Sequence, residues 1–405
     1  MTYRTLSIAI AAGIALSLPA QAAKPVWPHT LVQLHGAGNA YLIDTKTDTV
    51  IATLETCKGG TLGTTTLDGK KVYVSCAAEG QKEVVVLDLD KKTVAKRLET
   101  GNRPKHGVVS PNGKWVGINH WGLDDGKLRH SFVDVASDAV VKVVDLPVAG
   151  QPKGVTSMHN AWSADAKKFF AVDRVDNRLV VIDTGDWSVK TIAVPSAPHY
   201  PVPSPDGKEL WLVHEGSDSV KPGILVYDLT KPDMPVIATL DMPLIGEEVV
   251  EAHHGNFTQD GKLFLALNRG PGKDSRGREV AFFDAASKQL LHRLTTASNG
   301  VGHTYNTPDG RHAVVTNYGN NVITVIDIAN RRTVKDLKIG AGRMGHIAFT
   351  PDGKAGYVSN DKDGNVYKLD MTKLAVEKKI ETAGDKPGGG QVLNVWTNVF
   401  EELPR

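Results

Sequence analysis

Thr350-Pro351-Asp352-Gly353, then Gly356-Tyr357-Val358-Ser359, then a third run closing at Asp370, form one copy of a phrase that recurs along the whole chain. The opening turn returns as Ser110-Pro111-Asn112-Gly113, Ser204-Pro205-Asp206-Gly207 and Thr307-Pro308-Asp309-Gly310, and the second run returns as Val72-Tyr73-Val74-Ser75. The third run closes on an aspartate eight times, at Asp44, Asp88, Asp134, Asp183, Asp228, Asp284, Asp327 and Asp370. A fourth, alternating segment completes each unit, as in Thr333-Val334-Lys335-Asp336-Leu337-Lys338-Ile339. Asp-Gly turns supply the positive φ of tight hairpins, and alternation gives each strand one buried face. Four short strands in a unit of about 40–50 residues, with turn residues at fixed offsets, describe an all-β propeller. Eight closing aspartates give eight blades, and a seven-bladed count would require one unit to be an insertion.

The first unit lacks its opening strand, since the mature chain begins at Leu31-Val32-Gln33-Leu34, and the last is followed by a spare strand, Gln391–Trp396. Placed as the inner strand of the first blade, the spare strand closes the ring and removes the exposed edges of an open array. Ahead of the repeats, Met1-Thr2-Tyr3-Arg4, an apolar run from Leu6 to Leu18 and Pro19-Ala20-Gln21-Ala22 describe a secretory signal peptide over residues 1–22, cleaved near Ala22. Residues 23–405 are then one exported propeller domain, with the periplasm as the expected compartment. Nothing later reaches the roughly 18 consecutive apolar residues of a membrane span.

Lys and Arg number 47 against 45 Asp and Glu, with no long basic run, which argues against a general nucleic-acid surface. Cys57 and Cys76 are the only cysteines, and both map near one face of the second blade. In an oxidising compartment a disulfide is the first reading, and thiolate ligation the second. No Cys-x-x-Cys-His, Gly-rich phosphate loop or Gly-x-Ser-x-Gly elbow is present.

The histidines carry the functional signal. Aligned on the Asp-Gly turns (one degenerate, Asp165-Ala166), the position six residues before the turn's Asp or Asn is His106, His159, His254, His303 and His346. His199 falls one position earlier in a sixth blade, a shift that a bulge absorbs. If the Asp-Gly turns mark the lower face, these residues stand at the upper mouth of the channel. The loops after the second strands share that face and add His35, His120 and His214; His253 lies beside His254. His29, His130, His292 and His312 look scattered.

Imidazoles converging from separate rigid strands suit Cu, Zn, Ni or Fe. One metal ion rarely takes more than about four protein ligands, so the set implies a cluster, two sites, or one site with extra histidines as acids, bases or substrate contacts. Copper is favoured: structural zinc prefers short local spacings, whereas these residues are a blade apart. The bland alternative is that each histidine hydrogen-bonds a neighbouring loop. Lys105, Lys153, Arg174, Arg269 and Arg343 are expected to make the mouth positive, favouring an anionic substrate or a cofactor with carboxylates. Glu247, Glu248 and Glu251 precede His253 and offer a base, a ligand or merely an acidic turn.

The repeats, of which Asn321-Val322-Ile323-Thr324-Val325-Ile326-Asp327 is a clear copy, resemble the YVTN-type propeller family over nearly the whole mature chain. The inner-strand histidines resemble those of copper propellers such as nitrous oxide reductase and thiocyanate dehydrogenase. The blade count and the histidine-plus-arginine mouth resemble the haem d1 domain of cytochrome cd1 nitrite reductase and its biogenesis relatives. The first resemblance implies a copper oxidoreductase for a small inorganic or sulfur/nitrogen substrate. In it His106, His159, His199, His254, His303 and His346 are ligands, and His35, His120 and His214 are outer candidates. Lys105, Arg174 or Glu251 would orient substrate, Arg269 and Arg343 would hold a cofactor's carboxylates, and a separate carrier would take the electrons. The second implies a non-catalytic metal chaperone or a carrier for a tetrapyrrole such as haem d1, and zinc is the remaining metal alternative. An adaptor that binds another protein ranks third.

Overall fold

The computed structural model describes residues 29–242, 251–269, 277–382 and 389–393. The leader segment and Glu247-Glu248 lie outside them. The described residues form eight four-stranded antiparallel sheets. Seven are built from four consecutive strands. The first instead combines Thr30–His35, Asn39–Asp44 and Thr49–Glu55 with the late strand Gly389–Leu393 on its inner edge. Val32 pairs with Leu393 and Gln33 with Val392. Each innermost strand neighbours the next around a closed circle. The eight-bladed propeller is therefore complete, and the seven-bladed alternative falls.

The turn grammar has a physical basis that repeats seven times. Thr350 Oγ1 donates to Asp352 Oδ1 at 2.7 Å and accepts the Ala355 N–H at 3.1 Å. Thr66, Ser110, Ser163, Ser204, Thr258 and Thr307 do the same with their own Asp or Asn and the residue five positions on. The closing aspartates form the opposite turn. Asp284 Oδ1 takes the N–H groups of Ala286 and Ser287, and Asp370 Oδ1 those of Thr372 and Lys373. A short acceptor side chain thus satisfies backbone donors that the tight turn leaves unpaired.

Blades are joined by packing and by a recurrent polar clamp. Phe132, Trp162 and Phe169 meet at 5.0–6.0 Å between the third and fourth blades. Gly117 makes room there, since a Cβ would sit 2.4 Å from the Phe169 ring. The Tyr357 hydroxyl of the last blade donates to Asp48 of the first at 2.8 Å, and Lys368 Nζ reaches the same carboxylate at 2.9 Å. Tyr73 and Lys71 hold Asp138 of the next blade in the same way. The clamp between last and first blades seals the closure.

Cys57 and Cys76 are a disulfide, so thiolate ligation is excluded. His130 is fully buried against Phe169 rather than scattered on the surface.

Ala166, in the degenerate turn, holds the left-handed φ of +58° that Gly113, Gly207, Gly310 and Gly353 hold elsewhere. A Cβ in that region costs roughly 1–2 kcal/mol, partly offset by the freedom glycine loses on folding. Ala166→Gly is expected to raise unfolding stability by about 1 kcal/mol in a denaturant titration; an unchanged or lower stability would contradict this reading of the turn.

Candidate metal centre

The inner strands reach the upper mouth through bulges. In the sixth blade Ala252 pairs with Asn268 and Gly255 with Ala266, so His253 and His254 oppose one residue. The same two-against-one offset places His303 between Val301 and Thr304, and His346 between Met344 and Ile347. In the fifth blade the extra residue is His199 itself, between Pro198 and Tyr200, which absorbs its one-position shift. A bulge re-aims side chains and takes backbone groups out of the ladder. Side chains then fill the gap: Asn119 Oδ1 accepts the His106 N–H, and Ser359 Oγ that of His346, each at 3.0 Å.

The consequence is an unbroken wall of imidazoles. Ring centroids run His106–His159 at 4.7 Å, His159–His254 at 4.6 Å, His254–His303 at 4.2 Å and His303–His346 at 4.4 Å. His199 and His253 lie behind it, 4.4 Å apart, and each also touches His254. His106, His199, His253 and His254 are buried, while His159, His303 and His346 keep an edge open. His159 Nε2 and His254 Nε2 face each other at 2.9 Å.

Burial first, and the neighbouring imidazoles second, push His159, His254 and His303 well below the ordinary histidine range. His253 follows, with Arg269 adding to the effect. Burial takes His346 down to about 3, and His199 is also lowered. Neutral imidazole is the metal-binding form. Buried nitrogens without a hydrogen-bond partner among the described residues include His159 Nδ1, His199 Nε2 and His254 Nδ1. Donor atoms of His159, His199 and His254 all lie within 4.8 Å of one another. The residues present thus fit a transition-metal ion.

The outer histidines stand apart from this wall. His120 Nδ1 donates to the Arg129 carbonyl at 3.0 Å, with Nε2 3.4 Å from Thr100 Oγ1. His35 packs edge-on to Tyr41, and its Nδ1 accepts the Ala37 N–H at 3.3 Å. His214 is buried beside Gly223 at the end of its strand. None of the three makes a ring contact with the wall among the described residues.

The charges correct the expectation of a positive mouth. Arg174 grips Glu215 with both nitrogens, at 2.7 and 2.6 Å. Arg269 grips Glu251 at 2.6 Å, and Arg343 lies 3.3 Å from Asp361. Each guanidinium found a carboxylate on an adjoining loop, so the field is one of pairs. Lys105 makes no ion pair among the described residues. Its Nζ lies 3.3 Å from Thr61 Oγ1 and 4.3 Å over the Trp121 ring, and burial with Arg103 pushes it down to about 8. Glu251 is raised, chiefly by burial, and Asp361 is pushed up to about 6 for the same reason. Lys153 and Arg174 line a cavity of about 370 Å³, whereas Tyr318, Arg343 and Asp361 line one of about 750 Å³.

Of a second registered ring on the loops, the sequence alone pointed to Arg174 and Arg269 but not to Trp121, Glu215, Tyr318 or Asp361. The residue after the second strand is Trp121, Arg174, Glu215, Arg269, Tyr318 or Asp361 in six successive blades. Its N–H bonds each time to the carbonyl of the incoming connection. Tyr318 hydroxyl meets His303 Nε2 at 2.8 Å, and Tyr305 hydroxyl meets His346 Nδ1 at 2.7 Å. Tyr200 packs against both His159 and His254 at 4.8 Å. Extending the histidine alignment by one position on the loops would have exposed Glu215, Tyr318 and Asp361.

No protein-family model matches the chain, and no curated protein matches it by sequence. Among solved structures 1547 chains are similar to it, too many for the fold alone to assign a chemistry. One is the dihydro-heme d1 dehydrogenase NirN in complex with DHE, at TM-score 0.71 and 19% identity, covering 95% of this chain and 79% of that one. Another is the Kuenenia stuttgartiensis hydrazine synthase, at TM-score 0.56 and 18% identity, covering 80% and 96%. The likeness shows the β-propeller fold.

Buried neutral histidines make stability depend on pH. Burial holds His120 at about 4 and His130 at about 3, below the unfolded value of about 6.5. Their contribution is therefore complete above pH 6.5 and is lost as pH falls below it, because the unfolded chain takes up protons first. Thermal unfolding of the metal-free chain should be flat between about pH 7 and 8 and fall between pH 6.5 and 4. Both ring nitrogens of His130 lack partners among the described residues. His130→Leu is expected to cost nothing at pH 7 and to remove about one proton from the acid uptake on unfolding; a wild-type pH profile in that variant would contradict it.

Proposed function

We propose that the protein is an exported copper-binding propeller, an oxidoreductase acting on a small inorganic or sulfur/nitrogen substrate at the histidine wall. The observation that carries this reading is the continuous set of imidazoles from the third to the eighth blade, with donor atoms of His159, His199 and His254 within 4.8 Å of one another and His159 Nδ1, His199 Nε2 and His254 Nδ1 buried without a partner among the described residues. An all-imidazole donor set suits copper, whereas structural zinc sites draw on Cys and His at short spacings. Both cysteines are spent in a disulfide, which also suits an oxidising compartment.

Copper would supply one-electron exchange and polarise a bound substrate. The chain's own contribution is positional. His159, His303 and His346 offer the open edge to the channel. Tyr305 and Tyr318 fix two of these rings, and Lys105 is a cation without a carboxylate partner among the described residues, beside the wall, that could attract an anion. Arg174 and Arg269 hold carboxylates against His199 and His253 instead of standing free for substrate. Electrons would leave to a separate periplasmic carrier.

The likeness to NirN in complex with DHE favours a second reading, a carrier for a haem d1-type tetrapyrrole. Ring-to-ring contact along the wall favours ions over a macrocycle between these histidines. Metal analysis and an absorption spectrum of protein purified without chelator separate the two. Stoichiometric copper is expected, falling at least tenfold in the His159→Ala/His254→Ala variant while metal-free unfolding stays within a few degrees. A tetrapyrrole spectrum without copper would replace the first reading by the second. No metal uptake at all, or large destabilisation of the metal-free double variant, would return the histidines to a structural role.

A further inference from the structure

Resting on that reading, we infer that the metal position is the one framed by His159, His199 and His254, that Glu215 sets His199 for it, and that Arg269 keeps His253 out of it. Two groups of side chains bring donor atoms within 4.8 Å of one another: His159–His199–His254 and His199–Glu215–His253. They share His199, so where the protons sit decides between them.

Glu215 spans Arg174 with both oxygens, at 2.7 and 2.6 Å, and its Oε1 also meets His199 Nδ1. A guanidinium only donates, so Glu215 accepts from Arg174 at both oxygens, which is the arrangement of a carboxylate. His199 Nδ1 therefore donates to it and the lone pair stands on Nε2. That Nε2 is the buried, unpartnered atom. Arg174 Nη1 also lies 3.5 Å from Nδ1, the longer contact of two donors that share one oxygen.

His253 is held the opposite way. A guanidinium only donates, and Arg269 Nη1 lies 3.2 Å from His253 Nε2, so this nitrogen accepts. Nδ1 then carries the hydrogen, 3.5 Å from Glu251 Oε1. The lone pair of His253 is spent on Arg269, and Glu215 already accepts from both nitrogens of Arg174 and from His199. The second group thus keeps at most one unclaimed lone pair, on Glu215 Oε2.

In the first group no other hydrogen-bond partner among the described residues meets the facing nitrogens. The facing His159 and His254 Nε2 atoms share one hydrogen that a cation would replace, and the Nδ1 of each has no partner among the described residues. Glu215–His199 is then the carboxylate–histidine pair that fixes tautomer and orientation and makes the ligand more basic. Removing such a partner costs roughly tenfold to a hundredfold in metal affinity.

Titrating the metal-free full chain with Cu(II) against a competing chelator, with electron paramagnetic resonance of the loaded forms, tests this. Glu215→Gln should weaken Cu(II) binding by about ten- to a hundredfold and shift the copper spectrum. His253→Ala should leave affinity within about twofold and the spectrum unchanged, whereas His199→Ala should lose more than Glu215→Gln. Thermal unfolding of each metal-free variant checks the fold. Should Glu215→Gln fail to fold, the contrast of His253→Ala with His199→Ala still decides. Equal losses for these two, or wild-type affinity and spectrum in a folded Glu215→Gln, overturn this assignment while leaving copper binding standing. A wild-type chain that takes up no copper overturns both.

Discussion

An imidazole drawn out of water and pressed against other imidazoles cannot keep a second proton without a counter-charge, because burial and neighbouring cations both disfavour it. The mouth of this propeller is organised around that constraint. Burial is the leading cause of the depressed values of His159, His253, His254 and His303, and mutual repulsion the next. Each neutral ring keeps one N–H and one lone pair. The partners around the wall therefore decide which nitrogens are left to bind. Tyr305, Tyr318, Glu215 and Arg269 each take a specific nitrogen, and donor atoms of His159, His199 and His254 lie within 4.8 Å of one another.

The scaffold makes that convergence affordable. Radial repetition in a closed ring leaves only short sheet edges, and turn side chains satisfy the backbone at the far face. Bulges at the near face turn the histidines toward one another without moving the blades. The two guanidinium–carboxylate pairs beside the wall add little stability by themselves, since desolvation of partly buried ions consumes much of their attraction. Their effect is to hold direction: Glu215 sits against His199, and Arg269 against His253.

Much of this was legible in the sequence, and the limit has a physical cause. The Thr-Pro-Asp-Gly turns and closing aspartates are local hydrogen-bonding devices, so their spacing revealed eight blades and the register of the inner strands. His106, His159, His254, His303 and His346 followed from that register, and the shifted His199 from one bulge. The charge pattern did not follow. Whether Arg174 stands free or grips Glu215 depends on which loop an adjoining blade presents, information that a one-dimensional alignment lacks. For the same reason His120 looked like an outer candidate ligand, although its ring is turned to the Arg129 carbonyl. His130 looked incidental because its third-strand register, not the inner-strand register, places it in the core.

On the proposed reading a metal ion belongs between His159, His199 and His254. Anomalous diffraction at the copper edge, from crystals of the copper-loaded chain, tests this directly. The expected result is a peak about 2 Å from His199 Nε2, with nitrogens of His159 and His254 completing the nearest neighbours. A peak on the Glu215 carboxylate or on His253, or none along the histidine wall, would contradict it.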